Sequence, residues 1–282
     1  MTNMDDGLLL IDKEEGVTSR YVDNAIQRLF HTRKVGHLGT LDPFATGLLI
    51  VAVNKATKYL QFLPDEEKTY QARLILGKKT ATGDKTGEVI DECDVPNLDQ
   101  TRIQDVLSSF LGESTQIPPM TSAIKIDGVA LYKLAHKGKE IERQPRLVSI
   151  HEISLLHYEG NIIDFRAKVS KGTYIRTLGE DIASALGTVG YLESLRRLEV
   201  GNITLEGAKK LSEVDSSCFK EPSSFVVYPR IHLPFSLGVK ARNGVKLTLD
   251  SDAEKVLLED EQGVIAIYEK EGQGQYHCLR GL

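Results

Sequence analysis

The chain has 282 residues, 41% hydrophobic and 27% charged, with a net charge of -5. That supports one large folded unit plus a small one. It excludes the basic balance of a general nucleic-acid coat, and no apolar run approaches the ~18 residues of a membrane span.

The opening stretch, MTNMDDGLLLIDKEEG, is acidic, and its apolar run is too short for a secretory signal. The expected location is the cytoplasm. Three cysteines (Cys93, Cys218, Cys278) have no CxxC spacing, so neither a zinc site nor a disulfide framework is expected.

GLLLIDK (7–13) reads as a short buried strand. Thr18 or Ser19 could cap a helix in which Tyr21, Val22, Ile26, Leu29 and Phe30 share a face. Next comes GHLGTLDPFATG (36–47), read as a loop, followed by the apolar strand LLIVAV. TKYLQFL predicts a short helix ending before Pro64, and TYQARLIL (69–76) a strand with Tyr70, Ala72, Leu74 and Leu76 on one face. Leu98 to Leu111 has helical spacing, with Ile103, Val106, Leu107, Phe110 and Leu111 inward.

Residues 117–146 are polar and basic, with a turn at Asp127-Gly128, and read as an excursion from the core. Strands return at 147–157 and 162–170. Beyond Gly172, a helix places Ile175, Leu178, Ile182 and Leu186 inward, with Thr173 as its expected N-cap. LESLRRLEV and LEGAKKLSEV read as further helical pieces. After proline-rich 221–233, the tail reads as short β runs with turns at Asn243-Gly244 and Glu261-Gln262-Gly263. Strands and helices do not alternate regularly, so the class is α+β. The division expected is 1–228 and 229–282.

Three segments carry chemistry. In GHLGTLDPFATG the glycines accept positive φ, Pro43 stiffens the turn, and Thr40 and Thr46 can hold one carboxylate, Asp42, in a fixed orientation. The same residues suit a structural Asp-Pro turn, and His37 suits a surface or capping histidine. In SKGTYIRTLGED, Arg176 falls in the first turn of a helix, where acids are favoured, so a negative partner is expected nearby. A structural ion pair or a phosphate contact would each meet that need. Tyr70, in KTY, is either a core tyrosine or an aromatic ring at a cleft. No GK[ST], local carboxylate pair or Ser-His-Asp spacing indicates another chemistry.

Taken together and in this order, GHLGTLDPFATGLL, KTYQARLILGKKTATGDKTGEV, PPMTSAIKIDGVALYKLAHKGKEIERQPR and SKGTYIRTLGEDIASALG closely resemble the TruB family, the tRNA pseudouridine-55 synthases. The resemblance runs from about residue 7 to about 215, and the tail is more weakly similar to a PUA-like domain. It implies a mixed, largely antiparallel sheet core, a thumb-like insertion at 117–146, and isomerisation of a T-loop uridine in tRNA without a cofactor, metal or guide RNA. It implies Asp42 as catalytic aspartate, Tyr70 stacking on the base and Arg176 paired with Asp42. His37 would contact RNA and help hold the flipped-out conformation, while Gly39 and Thr40 belong to the same motif. Lys58, Tyr174 and Leu195 match active-site or fold-supporting positions. Lys125, Lys133, Lys137, Lys139, Arg143 and Arg146 of the insertion would meet phosphates.

Three positions depart from the family pattern: Glu14 stands where proline is usual after lysine, Thr121 where tyrosine is common, and His136 where arginine is common. Three roles stay open to the aspartate: attack at C1′, attack at C6, or removal of a sugar proton. Two other functions also fit: an RNA chaperone gripping the tRNA elbow, and a guide-dependent synthase on other RNA. A monomer is the simplest expectation.

Overall fold

The computed structural model describes residues 6–120 and 141–282, with the backbone of 125–126 and 129–130. Its strands are β1 (Gly7–Lys13), β2 (Val35–Leu38), β3 (Thr46–Val53), β4 (Glu67–Leu76), β5 (Lys78–Thr80), β6 (Val89–Glu92), β7 (Gly112–Gln116), β8 (Lys125–Ile126), β9 (Val129–Ala130), β10 (Arg146–Glu159), β11 (Ile162–Ser170), β12 (Gly190–Val200) and β13 (Ile203–Thr204). The helices among them are α1 (Ser19–Leu29), α2 (Gln100–Ser109) and α3 (Ile175–Ala185). The tail adds β14 (Arg230–His232), α4 (Phe235–Arg242), β15 (Leu247–Thr248), β16 (Lys255–Asp260), β17 (Gly263–Lys270) and β18 (Gln275–Gly281).

Among the described residues, the large sheet runs β1-β3-β12-β4-β11-β10-β7, with β2 beside β3 and β13 beside β12. Its pairings are antiparallel except β12 with β3, which run parallel at Arg196↔Thr46 and Arg197↔Gly47. The expected mixed, largely antiparallel core is therefore present. Strands β1 and β3 are apolar at almost every position because both faces are covered. On one face, Leu9, Ile11, Leu49 and Val51 pack with α1, α2 and α3 through Val22, Ile26, Ile103, Leu107, Leu178 and Ile182. On the other face, Leu8, Leu10, Leu48 and Ile50 pack with Leu257 and Ile267 of the tail.

The tail forms its own five-stranded sheet, β14-β16-β17-β18-β15. Its core includes Leu258, Ala266, Tyr268 and Tyr276. Gly263, at φ +112, makes the expected turn between β16 and β17. At Asn243-Gly244 the expectation fails. Asn243 is the C-cap of α4 rather than part of a strand-to-strand turn. Phe235 and Val239 of that helix are 62% and 42% exposed, so no apolar stripe announces it.

Other elements also differ from expectation. The first three residues of the supposed loop, Gly36, His37 and Leu38, belong to β2 and pair with β3 as a strand. Thr18 does cap α1, accepting from the Tyr21 amide, but Tyr21 and Leu29 face solvent. The segment after Asn54 forms two 3₁₀ turns rather than an α-helix. Leu111 lies beyond the end of α2 and is exposed. LEGAKKLSEV is not helical over its length: Gly207 sits at φ +73, and the Lys209 backbone exchanges hydrogen bonds with Leu10 and Asp12 of β1. LESLRRLEV is the long central strand β12. The Asp127-Gly128 turn, Thr121, Lys133, His136, Lys137 and Lys139 lie outside the described residues; the flanking β8 and β9 pair antiparallel.

Candidate active site

Asp42 stands between β2 and β3 in a turn closed by the Ala45 amide donating to the Asp42 carbonyl, 3.1 Å. Three side chains pin this turn from beneath. Ser19 exchanges hydrogen bonds with the Leu41 backbone at 2.9 and 3.1 Å. Lys13, 1% exposed, donates to the carbonyls of Val17, Glu14 and Pro43 at 2.7, 3.0 and 3.3 Å. Burial lowers its pKa to about 8. Arg197, also 1% exposed, donates to the Leu48 carbonyl at 2.8 Å and the Gly39 carbonyl at 2.9 Å, and stands opposite Tyr70 in the sheet. Gly47 closes the loop at φ +98, where a Cβ would lie 2.2 Å from the Arg197 carbonyl oxygen. No side chain fits where β3 meets β12.

Arg176 approaches from α3. Its Nε lies 2.9 Å from Asp42 Oδ2; the arginine side chain is 4% exposed and the aspartate side chain 33%. Arg176 Nη1 also donates to the Thr82 carbonyl at 2.9 Å and lies 3.6 Å from Asp84 Oδ2. Asp84 is held in turn by the Thr86 amide and the hydroxyls of Thr82 and Thr86. The guanidinium thus bridges two carboxylates. Burial pushes the Asp42 carboxyl up, Arg176 pulls it back down, and Asp84 pushes it up again; the net direction is up.

The N-terminus of α3 differs from expectation. Tyr174, not Thr173, is the N-cap, and it makes no side-chain cap bond. The buried side chain of Gln116 on β7 instead accepts from the Tyr174 amide at 3.0 Å and donates to its carbonyl at 3.3 Å. Thr173 turns back towards Ser170.

Thr40, Asp42, Tyr70, Tyr174, Arg176 and Leu195 line one cavity of about 100 Å³. A second cavity, of about 360 Å³, shares Thr40, Asp42, Tyr70 and Tyr174 and adds Gly39, Lys68, Lys171 and Arg197. Tyr70 is 8% exposed and touches both. His37 stands one step back. Its Nδ1 lies 2.9 and 3.0 Å from the two oxygens of buried Asp23, and its Nε2 lies 3.3 Å from Thr40 Oγ1. A proton on Nδ1 directed at Asp23 leaves Nε2 as acceptor towards Thr40.

The other sequence candidates lie elsewhere. Lys58 does not line either cavity; its Nζ donates to the Gly281 carbonyl of the tail at 3.0 Å. Arg143 donates to the Pro118 carbonyl at 3.1 Å, tying together the two ends of the insertion. The side chain of Lys125 lies outside the described residues.

Sequence reasoning missed Asp84, Asp23, Gln116, Lys68 and Arg197, and did not give Lys13 its place under the loop. Asp23 left a signal, since it shares the buried side of α1 with Ser19 and Ile26; a charge there needs a partner. Asp84 left one too, because threonines on both sides of an aspartate favour local side-chain-to-backbone bonding.

A sequence profile described as TruB family pseudouridylate synthase (N terminal domain) matches residues 27–175. The "tRNA pseudouridine synthase B" of Syntrophotalea carbinolica is 46% identical over 209 residues, covering 74% of this chain and 68% of the relative. That of Burkholderia mallei is 40% identical over 258 residues, covering 89% and 85%. Among solved structures, one of a Cbf5-Nop10-Gar1 complex superposes with a TM-score of 0.74 at 23% identity, covering 96% of this chain and 80% of that one. One of an H/ACA RNP bound to a substrate RNA containing 2'-deoxyuridine gives 0.73 at 22% identity, covering 98% and 84%. These two likenesses concern the fold.

Proposed function

Because the chain belongs to the TruB family of pseudouridylate synthases, we propose that it isomerises a uridine of tRNA to pseudouridine, at position 55 of the T-loop, and that Asp42 is essential. The observation that carries this reading is the Arg176–Asp42 pair at 2.9 Å, opening on a cleft walled by Tyr70.

A uridine in a folded loop must leave its stack, which costs a few kcal/mol. An aromatic side chain returns about 1–3 kcal/mol by stacking, and the presence of Tyr70 in the lining of both cavities supports that role. Glycosidic cleavage needs an ionised, fixed carboxylate. Burial alone would favour the protonated acid, and Arg176 opposes this. Asp84 holds the guanidinium from its other side, so Arg176 is set before substrate arrives. The pinned turn keeps Asp42 from relaxing towards water. The chain's own side chains supply these steps.

Residues 1–228 then carry the chemistry, 117–146 fold over the tRNA arm, and 229–282 act as a PUA-like RNA-binding module. Among the described residues no helix is long and apolar enough to cross a membrane, and we place the protein in the cytoplasm as a monomer acting without guide RNA. The test is incubation of the purified chain alone with an unmodified tRNA transcript, followed by mass mapping of modified uridines. Pseudouridine at position 55, lost with Asp42→Asn, is the expected result. Modification only with an added guide, or none at all, would overturn the reading.

A further inference from the structure

Two lysines beside the Asp42 loop are buried, and they use their ammonium groups differently. Lys13 spends its three donors on three carbonyls. Lys68, 8% exposed, donates to one neutral acceptor, the Asp65 carbonyl at 2.7 Å. Among the described residues it forms no ion pair. The carboxylate of Asp65 is committed elsewhere, to Lys171 at 2.8 Å.

Lys68 nevertheless lines the 360 Å³ cavity together with Asp42, Tyr70, Lys171, Gly172 and Thr173. A buried ammonium with no counter-ion is unfavourable for the folded chain alone. Asp42 itself is matched by Arg176. Arg197, on the same cavity, also lacks a carboxylate but is committed to the Leu48 and Gly39 carbonyls; Lys68, with one carbonyl, is the cation there with donors to spare.

We propose that Lys68 and the Lys171–Thr173 turn form a subsite for a phosphodiester flanking the flipped nucleotide. This rests on the tRNA reading above and names a contact within it. The ammonium would meet the anion as the base enters beside Tyr70, fixing the backbone while Asp42 faces the sugar. The groups facing Lys68 are Asp65 and Glu66 from the preceding turn, Lys171 from the β11–α3 turn and Arg197 from β12; burial, with Arg197 and Lys171 acting in the same direction, outweighs the two carboxylates and lowers its pKa to about 8. The contact is therefore complete near neutrality and weakens as pH rises through about 8. An anion in place would shift that loss upward.

The test measures binding of an unmodified T-arm hairpin to the full chain across a salt series, with turnover followed in parallel. Lys68→Met should weaken binding about tenfold or more. It should also reduce the slope of log affinity against log salt by about 0.7–0.9 and flatten the alkaline loss of affinity. Lys68→Arg should restore the slope but not the alkaline loss. A neutral methylphosphonate at one of the phosphates flanking the target uridine should weaken binding to the unsubstituted protein, and not weaken it further in Lys68→Met. If both variants fail to fold, the methylphosphonate hairpins still decide. Unchanged binding with the linkages on both sides neutralised overturns the subsite, as does an unchanged salt slope in Lys68→Met, while pseudouridine formation by the unsubstituted chain leaves the functional reading standing. No pseudouridine in any tRNA would remove both.

Discussion

Replacing Arg197 by Met tests whether the site depends on a residue that scarcely reaches its surface. Arg197 is 1% exposed; its guanidinium ties the Leu48 and Gly39 carbonyls together, and it stands opposite Tyr70 in the sheet. Hydrogen bonds from a charged donor contribute about 1.5–3 kcal/mol each, so the two carbonyl bonds amount to about 3–6 kcal/mol. Methionine fills much of the volume and removes a desolvation penalty of several kcal/mol. The net loss of stability should be about 2 kcal/mol, read as a lower urea midpoint at unchanged slope. Turnover should fall further than stability implies. Gly39 and Tyr70 flank Asp42, and a displacement of about 1 Å costs on the order of 10²-fold in rate. The loss should appear in single-turnover kcat rather than in KM, because the guanidinium presents almost no surface to RNA. Arg197→Lys should recover little, since one ammonium cannot reproduce a planar fork spanning two carbonyls. A folded Arg197→Met with turnover within about threefold of the parent would refute the argument, for Gly39 and Tyr70 would then hold their places unaided.

Asp42→Asn should lower turnover by at least about 10³-fold, roughly 4 kcal/mol, while tRNA affinity persists; near-normal turnover would remove the aspartate from the mechanism. The Asp42 carboxyl is raised above its ordinary 3.8, so the folded chain holds that proton more tightly than the unfolded one. Its contribution to stability is therefore lost as pH rises from about 3.8 through the elevated value. Activity should rise over the same window, and at neutral pH Asp42→Asn should melt higher than the parent; a lower melting temperature would contradict the burial argument. Tyr70→Leu should cost more activity than Tyr70→Phe if stacking dominates; equal losses of activity would point to the hydroxyl. Ending the chain at residue 228 should weaken tRNA binding and also strip Leu257 and Ile267 from the core shared with Leu8 and Ile50. At about 1.5–3 kcal/mol per buried side chain, that is about 3–6 kcal/mol. A truncated chain as stable as the whole would show the tail to be a separable appendage.

Elements whose apolar period reports one buried face were readable. The inward set of α3 (Ile175, Leu178, Ile182 and Leu186) is buried as expected, and β11 spans the expected residues. The positions of Asp42, Tyr70 and Arg176 could not come from periodicity. They lie on a turn, a strand and a helix from separate parts of the chain, and family resemblance, not local pattern, joined them in advance. Asp84 shows the limit of that reading. No second carboxylate accompanies Asp42 in its own loop, yet the β5–β6 connection brings one to the far side of the same guanidinium.

Strand β12 shows why a helical reading could arise from a strand. Leu192, Leu195 and Leu198 recur every third residue, as on a helix. The strand carries register shifts between Leu192 and Ser194 and between Arg197 and Glu199. Each extra residue resets the two-residue alternation. From Leu192 onward the buried positions consequently fall at Leu192, Leu195, Arg197 and Val200, spacings of three, two and three rather than the strict two of a regular strand. The first of these shifts turns Arg197 to the same side as Leu192, whereas the pattern of charge would place it in solvent. A misread strand and a missed arginine are thus one event. The irregularity that hides β12 from sequence reasoning also directs a guanidinium beneath the Asp42 turn, and local register rather than composition gives Asp42 its support.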